Sequence, residues 1–65
     1  MVSANEFFQY PDLFVPVKEA AGRLRKSGAA IRRLISLGEI DGIRVGRTIW
    51  VYVPSIENFI RPGAI

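Results

Sequence analysis

The chain has 65 residues, 49% of them hydrophobic, with no cysteine, no histidine and a formal charge of +3. This length makes one domain near the lower limit at which a core alone keeps a chain folded, and neither a disulfide nor a zinc staple can support it. The composition also argues against an enzyme or a metal site: there is no His or Cys to act as base, nucleophile or ligand, and the isolated carboxylates form no pair. No catalytic residue, cofactor, metal or small-molecule ligand is therefore expected. Residues 1–8 lack the basic start and apolar run of a signal peptide, and no stretch nears the roughly 18–20 apolar residues that span a bilayer. A cytoplasmic protein with no membrane partner is expected.

Residues 1–14 form an aromatic-rich lead-in, with Phe7, Phe8, Tyr10 and Phe14 and a turn at Pro11-Asp12. Phe7, Phe8 and Tyr10 fit no clean period. The segment suits either a short helical turn folded onto the core or an arm that touches another protein. From Val17, the spacing of Val17, Ala20, Ala21 and Leu24 predicts a first helix over Val17 to Leu24. Pro16 suits its first turn, where a missing N–H costs nothing, and Glu19 places negative charge at the positive helix end. Gly22, beside Ala20 and Ala21, would let a second helix approach closely.

Ser27 is a good N-cap for a second helix, Gly28 to Leu37, with Ile31, Leu34 and Ile35 on its buried side and Gly38 as its stop. Its other side carries Gly28, Ala29, Arg32, Arg33 and Ser36, while Leu37 points away from the core. Two short amphipathic helices joined by Leu24-Arg25-Lys26-Ser27 carry the pattern of a helix-turn-helix. The period then changes to two. Ile43 and Val45 alternate with Gly42 and Arg44, Gly46-Arg47-Thr48 makes a turn, and Ile49, Val51 and Val53 alternate with Trp50 and Tyr52. This predicts a β-hairpin with Ile49, Val51 and Val53 facing the core. Trp50 and Tyr52 either pack on the lead-in aromatics or form a contact surface. Ser55 caps a last helix with Ile56, Phe59 and Ile60 on one face, ended by Pro62-Gly63.

Charge is segregated along the chain. Arg23 to Arg33 holds five basic residues and no acid, and Lys18 to Arg47 holds eight basic residues against three acids. The remainder has one base, Arg61, and three acids. Such a distribution makes a positive face that attracts phosphate. Small residues opening the second helix let its N-terminal end lie close to a nucleic acid, within reach of Arg32 and Arg33. The candidate DNA-binding residues are Ser27, Gly28, Ala29, Arg32, Arg33 and Ser36 on that helix, and Arg44, Gly46, Arg47 and Thr48 on the hairpin. Lys18, Arg25 and Lys26 are candidates for holding the DNA backbone.

Val17-Lys18-Glu19-Ala20-Ala21, Ser27, Ile31-Arg32-Arg33-Leu34-Ile35, Gly38-Glu39-Ile40 and Ile43-Arg44-Val45-Gly46-Arg47 occur in an order that resembles the excisionase group, small phage and mobile-element proteins with a MerR-like winged helix-turn-helix. The resemblance runs from about Val15 to Ile60. Gly-Glu-Ile followed by Ile-Arg-Val-Gly-Arg is its most specific part. The chain departs from the family at three places. Leu24-Arg25-Lys26-Ser27 stands where Leu-Gly-Val-Ser is usual, Pro16 where a Ser or Thr cap is common, and Pro54 about two residues later than the usual proline.

The resemblance implies an α+β, mostly α fold: a two-helix helix-turn-helix, a two-stranded antiparallel wing and a C-terminal helix. These make a domain over 15–61, preceded by the lead-in and followed by a tail over 62–65. It implies a recombination directionality factor that binds repeats in double-stranded attachment-site DNA, cooperatively with other copies of itself, bends that DNA and directs a phage integrase toward excision in the bacterial host. Leu37, Trp50, Tyr52, the lead-in aromatics and Ile65 are candidates for protein contacts. A small phage transcriptional regulator or repressor of the same type is the alternative, and a module binding an acidic protein partner is a third reading.

Overall fold

The strand nearest the C-terminus lies in the middle of the sheet, and the rest of the chain is arranged on its two faces. The computed structural model describes residues 2–60. Among them the order is α1 (Ala4–Gln9), a single 3-10 turn (Pro11–Leu13), β1 (Phe14–Pro16), α2 (Val17–Leu24), α3 (Gly28–Ser36), β2 (Gly42–Val45), β3 (Thr48–Tyr52) and α4 (Val53–Ile60). This is an α+β fold, mostly helical, with a three-stranded antiparallel sheet of order β1-β3-β2. The expected tail over 62–65, with Ile65, lies outside the described residues.

The helices anticipated at Val17–Leu24 and from Gly28 onward are present, and their ends follow from local chemistry. Pro16 is the N-cap of α2 rather than its first residue, because φ −67° and ψ 159° keep it extended as the last residue of β1. At the other end, Lys26 N–H donates to the Ala21 carbonyl at 3.0 Å and Arg25 N–H to the Gly22 carbonyl at 3.3 Å. This paired closure needs a left-handed residue, and Arg25 supplies it at φ 54° where glycine is usual. Ser27 Oγ then accepts from Ala30 N–H at 3.1 Å, the expected cap of α3. Gly38, at φ +77°, ends α3 by the same closure: its N–H donates to Ile35 at 3.0 Å and Glu39 N–H donates to Leu34 at 2.9 Å. Gly22 does not mediate helix approach as anticipated, since the space beside it is open. Gly28 lies on the α2–α3 contact, where an added Cβ would sit 3.6 Å from Val17 Cγ1.

Strand register sorts the side chains. Val15 pairs with Val51, Gly42 with Val51 and Arg44 with Ile49, so these five share one face of the sheet. Val15 and Val51 on that face join Val17, Ala20, Ile31, Ile40 and Ile56 in the core, with Ile49 and Phe59 packed against it. Ile40, which sequence periodicity had left unassigned, is 2% exposed. Gly42 is required here: a Cβ would meet Ile35 Cδ1 at 2.7 Å and the Trp50 carbonyl at 3.3 Å.

The opposite face carries Phe14, Ile43, Trp50 and Tyr52, and α1 packs over it. Phe7 is the centre of this second layer, with ring centroids 5.4 Å from Phe14 and 5.0 Å from Trp50, while Phe14 lies 5.2 Å from Tyr52. Such geometries are favourable for aromatic pairs beyond the area they bury. Trp50 and Tyr52 therefore take the packing role, while among the protein-contact candidates Leu37, Phe8 and Tyr10 stay open to solvent, at 61%, 68% and 53% exposure.

Further expectations are corrected. Phe14 opens a strand continuous with Val15, which turns the anticipated two-stranded ribbon into a three-stranded sheet, while the rest of the lead-in takes the first of its two expected forms, a short helix folded onto the domain. The hairpin loop is the two residues Gly46-Arg47, with Thr48 already paired to Val45. Gly46 alone has positive φ (+65°), as a type II′ turn requires. Val53 begins α4 instead of extending β3, because Pro54 cannot donate within a strand but costs nothing in a first helical turn. Ser55 is consequently inside α4, and Ile60 is 55% exposed.

Ser55 is buried and joins three segments: its Oγ accepts from Asp41 N–H at 2.9 Å and donates to the Tyr52 carbonyl at 2.6 Å. Ser55→Ala should cost about 1–3 kcal/mol by removing the buried hydroxyl and both of these hydrogen bonds. The readout is a lower urea midpoint at unchanged slope. Phe7→Ala should cost about 2 kcal/mol, a loss on the order of 10 °C in Tm for a domain of this size. Phe8→Ala, at a side chain 68% exposed, should shift Tm by less than about 3 °C. Equal melting of the two variants would show that α1 does not pack on the sheet.

Candidate nucleic-acid interface

The contact between Gly42 and Ile35 sets α3 against β2, and the candidate site grows from it. Two residues along β2 from Gly42, on the same face of the sheet, stands Arg44. Three residues back along α3 from Ile35, about one helical turn, stands Arg32. The α2–α3 contact at Val17 and Gly28 brings the start of α2, and with it Lys18, to the same place. Arg47 projects from the hairpin turn. Four cations from two helices, a strand and a turn thus line one open groove of about 430 Å³, together with Thr48, Pro16, Val17 and Ile49.

Among the described residues no carboxylate lines the groove. All four cations are exposed. Pro16 provides no side-chain hydrogen bond to the first turn of α2, so the N–H groups of that turn are left uncapped beside the groove and add to its positive potential. Glu19 lies in the same turn, but its carboxylate is held 3.0 Å from Arg23 Nη2, one turn away along α2. The groove has two characters at once: a cationic rim and an apolar floor of Pro16, Val17 and Ile49.

The sequence-derived candidates divide. Lys18, Arg32, Arg44, Arg47 and Thr48 come together in the groove. Arg33, Ala29 and Ser36 are exposed on α3 but lie outside it, as do Arg25 and Lys26 in the connection between α2 and α3. Ser27 is engaged as a cap, and Gly28 is half-buried against α2, so both build the helix pair. Gly46 gives the turn its geometry. Pro16, Val17 and Ile49 were not anticipated as site residues. Their hydrophobicity alone marks them as core, and only the register and the helix packing bring them to the groove.

Among the described residues no helix is long and apolar enough to cross a membrane. Comparison of the chain with protein-family models, with curated proteins and with solved structures gives no match.

Four like charges around one groove repel one another when no anion is bound. Thermal stability should therefore rise as NaCl increases from about 0.01 M to about 0.15 M, over which the screening length falls from about 30 Å to about 8 Å. Arg44→Ala should melt at the same temperature or higher at low salt and respond less to added salt. Identical salt responses of variant and parent would mean the four charges are not coupled.

Proposed function

We propose that the protein is a sequence-specific, double-stranded-DNA-binding module of the winged helix-turn-helix type, with α2 and α3 as the helix pair and the β2–β3 hairpin as the wing. The observation that carries this reading is the acid-free groove in which Lys18, Arg32, Arg44 and Arg47 converge. A cationic rim over an apolar floor matches a sugar-phosphate strand, whose charges are regularly spaced and whose sugars are largely apolar. The α3 surface beside the groove, with Ala29, Arg33 and Ser36 exposed, is narrow enough to enter a major groove about 12 Å wide.

The biological role we propose is that of an excisionase, which binds and bends attachment-site DNA and directs an integrase toward excision. It rests on the order of residues from Val17 to Arg47 described above. Size supports a role in multiple copies. The longest dimension is 30 Å, shorter than the roughly 34 Å of one duplex turn. A single module of this kind buries roughly 600–1,000 Å² on DNA. Bending a site costs on the order of 1–6 kcal/mol, which several adjacent copies can supply together. Leu37 is available for contacts between such copies or with the integrase.

The test is a titration on attachment-site DNA of the encoding element against a scrambled duplex, at several salt concentrations. Four to five neutralised phosphates would give a slope of log K against log salt near −4. Stepwise, site-selective complexes and stimulated excision by the integrase in vitro are expected. Selective binding without any effect on recombination would identify a transcriptional regulator. A slope near −1 with no selectivity would overturn DNA binding as the function.

A further inference from the structure

We infer that the two adjacent arginines of α3 have different tasks: Arg32 holds the DNA backbone as part of the groove, and Arg33 selects the base sequence. This rests on the DNA-binding reading and adds to it a specificity-determining residue and a defined seat for a stretch of the sugar-phosphate strand.

The two side chains are neighbours in sequence and alike in chemistry, so the sequence treats them as interchangeable. The fold does not. Successive residues of a helix point about 100° apart. Arg32 falls on the side of α3 turned toward the hairpin, where Lys18, Arg44 and Arg47 surround the same space. A base edge would be a poor occupant of that space. It offers one or two acceptors without a formal charge, too little to offset four cations, and recognition of guanine occupies a single arginine fork. A sugar-phosphate strand brings a full negative charge and several acceptor oxygens at each successive phosphate, and its sugars match Pro16, Val17 and Ile49 on the floor. Charge balance and shape therefore both assign the groove, and Arg32 with it, to the backbone.

Arg33 is exposed and outside this cluster. One turn before it stands Ala29, and three residues after it stands Ser36, both exposed and both small. Ala29 and Ser36 leave room for the N-terminal and middle turns of α3 to close on the edge of a base pair, while the bulky exposed side chain on that side, Leu37, stands beyond them at the C-cap. With no other groove cation competing for the same acceptors, the guanidinium fork of Arg33 is free to pair with guanine O6 and N7.

The experiment is selection of bound duplexes from a random-sequence library by the full chain and by single variants, followed by salt titrations on one recovered duplex and one scrambled duplex. Both arginines are exposed, so the variants should fold, and matching thermal melts check this. Arg32→Ala should weaken binding to both duplexes by a similar factor, about tenfold, reduce the magnitude of the salt slope by about one, and leave the selected motif unchanged. Arg44→Ala should behave in the same way. Arg32→Lys should retain binding to within about threefold, because a phosphate accepts a point charge. Arg33→Ala should remove the preference at one base position, lowering the ratio between the two duplexes by about 5- to 150-fold with little change in slope, and Arg33→Lys should not restore it. If Arg32→Ala alters the motif, or Arg33→Ala weakens both duplexes equally, the division of tasks is overturned while DNA binding stands. If the parent protein enriches no motif and binds without salt dependence, the DNA-binding reading itself has failed.

Discussion

The central position of β3 constrains everything else in this small protein. A strand paired on both edges, with structure packed on both faces, must be apolar throughout, and Thr48–Tyr52 meets that demand with Ile49 and Val51 on one side and Trp50 and Tyr52 on the other. Val51 is wholly buried under the three C-terminal helices. Trp50 lies beneath Phe7, and Tyr52 beside Phe14. A chain near the lower size limit for independent folding gains from this arrangement, because one five-residue strand serves two apolar layers at once. The aromatic lead-in is then a structural requirement, since without it the outer face of β3 would be an exposed apolar patch.

The same strand positions the basic groove. Its pairing with β2 sets Arg44 on the helix-bearing face, next to Ile49, instead of on the aromatic face. A slip of one residue would move Arg44 under α1 and place Ile43 or Val45 at the groove. Register is held from both ends. The two-residue turn at Gly46-Arg47 fixes one, and the bonds joining Asp41, Tyr52 and Ser55 fix the other. Four cations can gather there because they stand in water on separate elements whose apolar roots pack independently. Their mutual repulsion is screened and does not have to be offset within the core.

The connection between α2 and α3 shows how local strain can be retained where a charge is useful. Arg25 occupies a left-handed position at φ 54°, a conformation that costs an L-residue about 1 kcal/mol and glycine almost nothing. The closure it makes sets the angle at which α3 leaves α2. The arginine also carries positive charge to the exposed end of the helix pair, away from the groove. In the DNA-binding reading this is a further, separate contact with the backbone, and it offers a reason for arginine at a glycine position.

Much of this was legible in the sequence, and what was legible was local. A spacing of three and four marked α2 and α3, Ser27 and Gly38 marked the ends of α3, and alternation marked the hairpin, because each depends on the chemistry of a few consecutive residues. The clustering of bases between Lys18 and Arg47 was equally plain. Tertiary structure decided the rest. Phe14–Pro16 is too short to show a period, and it is a strand only because β3 has a free edge to pair with. Ser55 looked like a cap, but its hydroxyl bonds across the fold to Asp41, a partner fourteen positions away in sequence. Arg32 and Arg33 were indistinguishable until packing turned one toward the hairpin and left the other facing solvent. Sequence by itself determined α2, α3, the existence of the hairpin and the charged segments, since those follow from neighbours along the chain. Which cations share a groove depends on strand register and helix contacts between distant residues, and only the folded structure determines those.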